Sequence, residues 1–155
     1  MMLSNKAMKQ YLGSIRTVGT ENLENLRFLK LGDGFFFEIE VNENVRTVVD
    51  TFEKDPSSDW AGFEYSTNKL HLEDFIKGTI HDVTVAGIFI VTQLADRFRQ
   101  HFRGVSAVFW LSSDAYSEFP SVTLSFYVER EGMVPLLPKN EIALNEFAHA
   151  LLIVQ

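Results

Sequence analysis

The strongest structural signal in the sequence is a stripe of apolar residues at helical spacing near the middle of the chain. The stripe consists of Val83, Gly87, Ile90, Val91, Leu94, Phe98 and Phe102. Polar residues accumulate on the opposite side, and Gly104 supplies a C-terminal stop. The β-branched run over residues 83–91 would also suit a buried strand, but the helical spacing continues past it. The sequence therefore predicts a long, largely buried helix over residues 80–102.

Three pairs of apolar, β-favouring runs predict β-hairpins. The first joins residues 26–31 to residues 35–41 across Gly-Asp-Gly, a loop that lets the backbone enter positive φ. In its second strand, Phe36, Glu38 and Glu40 alternate with apolar residues, which predicts one wet face. The other two pairs are residues 62–65 with 69–73 and residues 107–111 with 122–130.

The remaining segments predict three more helices. Val45, Val48, Val49 and Phe52 follow helical spacing after a possible N-cap at Asn42 or Asn44, and Pro56 ends this segment. A short helix is expected over residues 3–12. A closing helix is expected to carry Ile142, Phe147, Leu151 and Leu152. The pattern predicts one α+β domain over residues 1–155, a mainly antiparallel sheet built from hairpins with helices packed on one face.

Composition limits the classes of protein to which the chain can belong. Its 155 residues are 46% hydrophobic and 23% charged, which is typical of a folded domain. The absence of cysteine excludes disulfides, thiolate catalysis and cysteine-bound metals. The N-terminus lacks the features of a secretory signal, and the longest apolar run is too short to span a bilayer. We expect a cytoplasmic protein with no membrane span.

Negative charge is concentrated in one part of the chain. The formal net charge is −7, and residues 32–82 hold twelve acidic residues against four basic ones. Nucleic-acid affinity depends on Lys and Arg displacing counterions, so direct nucleic-acid binding is disfavoured. A basic protein is the partner that this charge favours.

Motifs for cofactor or nucleophilic chemistry are absent from the sequence. It has no Gly-x-Ser-x-Gly run and no phosphate loop, and the Gly32-Asp33-Gly34 segment lacks a third glycine. The nearest candidate for a metal site is His71, Asp74 and His81, but their spacing favours ordinary surface histidines. We expect no cofactor and no metal.

Two further groups of charged residues admit both a functional and a structural interpretation. The pairs Glu38 with Glu40 and Glu73 with Asp74 could do acid–base work, but solvated charges are the better interpretation. Arg97, Arg99 and Arg103 lie near the end of the long predicted helix, where cations suit the helix dipole. Contact with a polar or acidic ligand is the alternative for these arginines.

Segments that mix acidic and aromatic residues are the best candidates for a binding surface, since aromatic anchors ringed by carboxylates suit a basic partner. The predicted partner-binding residues are Asp50, Glu53, Asp55, Asp59, Trp60, Glu64, Tyr65, Asp114, Tyr116 and Glu118. The competing interpretation is that Trp60, Phe63 and Phe119 simply cover the core.

With these acidic and aromatic segments, the chain resembles the immunity proteins of bacterial contact-dependent inhibition and related polymorphic toxin systems. The resemblance is one of size, acidity and lack of cysteine. It implies a small α+β protein that binds a cognate basic toxin, often a nuclease, and occludes its active site or substrate surface. No residue role follows from it.

Three functional hypotheses follow. The first is a non-catalytic acidic protein that neutralises a basic toxin. The second is a small-molecule-binding or enzymatic domain with an aromatic pocket lined by Phe35, Phe37, Phe98 and Phe126. The third is a subunit that associates with itself, as a homodimer, through an exposed apolar face.

Overall fold

The computed structural model describes residues 1–12, 23, 25–140, 143, 145 and 150–155. The strands are β1 (Met2–Ser4), β2 (Phe28–Leu31), β3 (Gly34–Phe37), β4 (Leu70–His71), β5 (Ala107–Asp114), β6 (Ser121–Val128) and β7 (Ala150–Val154). The helices are α1 (Lys6–Leu12), α2 (Glu43–Phe52), α3 (Trp60–Thr67) and α4 (Ile80–His101). An antiparallel five-stranded sheet of order β1-β7-β5-β6-β4 stands beside the two-stranded sheet β2-β3. The predicted α+β fold with a mainly antiparallel sheet is confirmed.

Helix α4 confirms the predicted long buried helix, and its contacts with β5 show the relative direction of the two elements. It begins with a capping box between Thr79 and Asp82 and ends just before Gly104, whose φ is +81°. Near its start, the hydroxyls of Thr84 and Ser113 are hydrogen-bonded at 2.7 Å. Near its end, the Phe98 ring packs on Phe109, with centroids 5.7 Å apart. Helix α4 therefore runs antiparallel to β5.

The long strands bury both of their faces. In β5, Phe109 and Leu111 face the main core with α4, whereas Val108 and Trp110 join a second cluster on the opposite side. Ala61 of α3 belongs to that second cluster. Alternation of large apolar residues on both sides explains why β5 and β6 read as strongly β-favouring runs.

The first hairpin is confirmed, but its predicted wet face is wrong. Strand β3 stops at Phe37, and Glu38–Glu40 form a 3-10 turn. Phe36 is fully buried against Val45, Val49 and Trp60, because α2 and α3 cover the second side of the hairpin. Helix α2 itself is confirmed, capped by the Asn42 side chain on the Val45 amide.

The second predicted hairpin is wrong, because residues 60–67 form α3. The Asp59 side chain accepts from the Gly62 amide and caps this helix. Only Leu70 and His71 remain as a strand, and they pair with β6. The aromatic residues that suggested a strand lie on different sides of α3. The sequence therefore has no single apolar stripe that would have predicted this helix.

The chain ends differ from the sequence prediction. Leu151 and Leu152 lie in β7 and point to opposite faces of the sheet, so the closing helix is wrong there; Ile142 and Phe147 lie outside the described residues. The opening segment begins with β1, which pairs with β7, and only then becomes α1. The sequence did not predict β1, because this short strand forms only by pairing with the distant strand β7.

No helix in the described part of the chain combines the length and the apolar character needed to cross a membrane. Helix α4, with 22 residues, is long enough, but charged and polar residues occupy its outer side.

Glu64 in α3 and Asn68, which follows the last residue of α3, join the two sheets. The Glu64 carboxylate accepts from the backbone N–H of Phe35 in β3 and of Val128 in β6, at 2.8 Å in both cases. One turn later, the Asn68 amide accepts from the Phe37 N–H and donates to the carbonyls of Phe35 and Phe126. Both side chains are fully buried. Strands β3 and β6 are therefore bridged by side chains in place of a backbone ladder.

Arg130 completes this bridge. Its guanidinium forms a two-pronged pair with Glu64, at 2.7 and 3.0 Å, and also donates to the carbonyls of Asp33 and Val128. Burial raises the pKa of the Glu64 carboxyl, while Arg130 and the two backbone amides oppose that rise. Only donors converge on the carboxylate, so the charged form fits the site.

We expect Glu64→Ala to lower the free energy of unfolding by about 3–5 kcal/mol, because it strands a partly buried guanidinium and two backbone donors. Urea unfolding measures the change. The matched control is Glu131→Ala, at an exposed position, which should shift stability by less than about 0.5 kcal/mol. Equal stability of the two variants would refute the bridging role.

Candidate functional site

In the part of the chain that the structure describes, the most exposed aromatic side chains lie at the tip of the β5–β6 hairpin. Among the described residues, Tyr116 and Phe119 are the most exposed large hydrophobic side chains together with Val134, at 89% and 81% exposure for the two rings. Asp114 precedes both rings in the chain, and Glu118 lies between them. We call Asp114, Tyr116, Glu118 and Phe119 the tip surface.

Local hydrogen bonds hold the tip in shape. Oδ1 of Asp114 accepts from the backbone N–H of Tyr116 and of Ser117, at 3.3 and 3.2 Å. The Ser117 hydroxyl donates to the Phe119 carbonyl at 2.8 Å. The two rings are therefore presented by a defined turn at the end of two eight-residue strands.

A hydroxyl-rich strip continues from the tip along the sheet. Ser112 pairs with Thr123, and Asp114 pairs with Ser121, on the face that lies away from α4. All four residues are half-buried, unlike the apolar residues further along both strands. The strip and the tip surface together form a surface with aromatic anchors at one end and polar groups beside them.

The other predicted partner-binding acids lie at the opposite end of the sheet. Asp50, Glu53, Asp55 and Asp59 are exposed on α2 and on the loop before α3. The Glu53 side chain lies beside Gly32, in the turn between β2 and β3. Arg130, which follows β6, donates to the carbonyl of Asp33 in the same turn. The eight residues of β6 separate the two ends by about 23 Å. The acidic segments that look alike in sequence therefore do not form one surface.

Two of these acids also have local structural roles. Asp59 caps α3 through the Gly62 amide. Asp55 accepts from both the amide and the hydroxyl of Ser57, and these hydrogen bonds lower the pKa of its carboxyl. These local roles explain why acidic residues occupy positions 55 and 59, and no partner is needed to explain them.

Two predicted partner-binding residues are buried, and a third is half-buried. Glu64 is fully buried in the bridge between the sheets, so it cannot meet a partner. Trp60 is buried against Phe52, which confirms the core interpretation for this ring. Tyr65 is half-buried and stacks on Trp110, with centroids 5.4 Å apart. The exposure of these three side chains differs from the prediction because residues 60–65 lie in α3 and not in a loop and a strand.

The proposed aromatic pocket is closed. Phe35, Phe37, Phe98 and Phe126 are all buried, and the rings pack on one another at centroid distances of 4.7–5.6 Å. The Phe28 ring fills the space between them. The pocket prediction is wrong because these rings fill the space that they were expected to line.

Of the predicted acid–base pairs, Glu73 is held in structural contacts, whereas Glu38 and Asp74 are exposed. Oε2 of Glu73 accepts from the Val122 amide, and its Oε1 lies 3.4 Å from Nδ1 of His71. Burial raises the pKa of Glu40, and the nearby His71 opposes the rise. Within the described ranges, no three His, Asp or Glu side chains are placed to hold a metal ion together. His71, Asp74 and His81 therefore do not form the metal set considered from the sequence.

A small cleft lies at the C-terminal end of α4. Its volume is about 200 Å³, and the described residues that line it are Arg27, Phe28, Arg97 and His101. Of the predicted basic cluster, Arg97 faces this cleft, while Arg99 pairs with Asp96 at 2.7 Å. Sequence reasoning missed Arg27 because it is 70 positions from Arg97 in the chain, and it did not single out His101.

We expect Asp114→Ala to loosen the tip and Asp114→Asn to preserve it. The asparagine oxygen can still accept from both amides, whereas alanine removes the acceptor. Hydrogen exchange at the amides of Tyr116 and Ser117 should accelerate about two- to tenfold in the alanine variant alone. Equal acceleration in both variants would show that the charge of Asp114, and not the turn geometry, orders the tip.

Comparison with family models places the chain among proteins of common descent without adding a function. No curated protein and no solved structure matches the chain. One family model, described as Uncharacterized protein PM0498 family, matches residues 3–155. Because that match covers almost the whole chain, the protein belongs to the Uncharacterized protein PM0498 family.

Proposed function

We propose that the protein is a non-catalytic acidic binding protein that docks its tip surface on a basic protein partner. The observation that carries the proposal is the exposure of Tyr116 and Phe119 at an ordered hairpin tip. In its finer form, the partner is a toxin whose active site or substrate surface the bound protein occludes, as in the immunity proteins that the sequence resembles.

The energetics of the tip support this proposal. Full burial of one large apolar side chain contributes about 1.5–3 kcal/mol, so two rings can anchor a complex. The turn bonds made by Asp114 and Ser117 already order the loop, so less conformational entropy is lost on binding. Because both rings are more than four-fifths exposed, they bury little apolar area in the isolated fold.

Charge supports a basic partner. The chain carries a net charge of −7, and Asp114 and Glu118 each lie within two residues of a ring in the sequence. Such carboxylates speed the approach of a positive surface and repel a second copy of the same tip. Toxins that act on nucleic acids present positive surfaces to their substrates, and an acidic protein can occupy such a surface.

We expect the double variant Tyr116→Ala/Phe119→Ala to lose its partner. Affinity capture from a lysate of the source organism, with wild-type and variant baits in parallel, should recover a basic protein with the wild type only. The affinity of the purified pair should fall at least about a hundredfold in the variant. When the partner is toxic to a host cell, coexpression of the wild type should restore growth and the variant should not.

The matched control for the rings is Phe89→Ala, which removes a half-exposed ring from the outer side of α4. This variant should bind like the wild type. Recovery of the same proteins by the wild type and the double variant would contradict the proposal. Recovery of a second copy of the chain alone would replace it with self-association.

Charge reversal at the tip should act on the rate of association. We expect Glu118→Lys to slow association with the basic partner at low salt and to weaken its salt dependence. Glu131→Lys makes the same change of charge at the far end of β6 and should have a smaller effect. Stopped-flow or surface-based kinetics at two salt concentrations distinguishes them, and equal effects would refute steering by the tip.

A further inference from the structure

The two rings of the tip surface are open to a group from outside the chain. In the part of the chain that the structure describes, neither Tyr116 nor Phe119 packs on another ring or lies beneath a cation. Elsewhere in the same fold, the ammonium of Lys69 lies 5.3 Å from the centre of the Tyr65 ring. The tip therefore presents the kind of ring that cations contact, without a cation of its own.

The carboxylates of the tip surface are also available. Glu118 is exposed and forms no hydrogen bond or ion pair with the described residues. Asp114 uses Oδ1 for two backbone amides of the turn, whereas its Oδ2 accepts from none of the described groups. The sequence has no Lys or Arg between Arg103 and Arg130, so the hairpin supplies no cation that could neutralise these acids.

The position of Glu118 favours one way of binding over another. It directly precedes Phe119, so a dry apolar recess that enclosed both rings would also take this carboxylate out of water. That step is unfavourable unless a donor compensates the charge. A cation provides the compensation, since it can lie against a ring face and pair with a carboxylate at the same time.

We propose that the tip surface binds arginine side chains of the basic partner, stacked on the rings of Tyr116 and Phe119 and paired with the carboxylates of Asp114 and Glu118. This inference rests on the proposed function, because it names the groups of the partner that the tip contacts. Arginine suits the tip better than lysine, since the planar guanidinium is weakly hydrated, stacks on rings and donates in pairs to a carboxylate. Its apolar stem also covers ring area.

The exposed acids of α2 and of the loop before α3 provide a comparison within the same chain. They are more numerous than the acids of the tip, but no exposed ring accompanies them, because Phe52 is half-buried and Trp60 is buried. A cation attracted by charge alone would bind there at least as well as at the tip. A cation that needs a ring face would prefer the tip.

A site-resolved NMR titration of the full chain with a capped tetra-arginine peptide tests the inference. We expect saturable shifts at the amides of residues 115–119 and smaller shifts at residues 50–59. The double variant Tyr116→Leu/Phe119→Leu keeps apolar side chains but removes the ring faces, so it should bind the peptide about tenfold more weakly at the tip. A tetra-citrulline peptide, which has nearly the same shape without the charge, should also bind about tenfold more weakly or worse.

Phe89→Leu is the matched control, because it makes the same change at a half-exposed ring on the outer side of α4. It should bind the peptide like the wild type. Equal binding by the wild type and the leucine double variant, or shifts at residues 50–59 as large as those at the tip, would overturn the inference. Binding of tetra-lysine as tight as that of tetra-arginine would overturn the assignment to arginine.

The leucine double variant also separates this inference from the proposed function. In affinity capture of the partner, Tyr116→Ala/Phe119→Ala should fail under either way of binding. Loss of the partner in the alanine variant with full retention in the leucine variant would overturn the arginine contact and leave the proposed function standing. Retention of the partner in both variants would contradict the proposed function itself.

Discussion

The structure depends on one buried carboxylate. Glu64 lies between two sheets whose edges do not pair directly, and it satisfies one backbone donor from each of them. Removing such a charge from water is unfavourable unless donors surround it, and Arg130 supplies the opposite charge. The hairpin, α3 and the far end of β6 are therefore held as one unit.

The sequence predicted the elements that depend on local pattern. The stripe of α4, the cap of α2 at Asn42 and the first and third hairpins all follow from spacing and turn residues. What it missed depends on distant partners. Strand β1 needs β7, and β7 needs both β1 and β5, whereas neither has a strong signal of its own. Helix α3 was missed because its apolar residues pack into two different clusters.

The candidate sites show the same division. Tyr116 and Glu118 could be identified from sequence because a short loop between two clear strands must be exposed. Glu64 could not be assigned correctly, because its burial is decided by strands that are 29 and 64 residues away. The cleft depends on Arg27 and Arg97 meeting across the fold, and no local pattern encodes such a meeting.

The side-chain bridge also decides how another protein can approach the sheet. Along the edge of β6 that faces away from β5, backbone groups are already hydrogen-bonded. The Glu73, Asn68 and Glu64 side chains form hydrogen bonds with the backbone of Val122, Phe126 and Val128, and Leu124 pairs with Leu70 of β4. At the other edge, β1 has only three residues. A partner strand would find few free backbone groups to extend this sheet, which also protects the protein from edge-to-edge aggregation. Any partner would therefore meet side chains and turns, whose residues can change while the sheet remains the same.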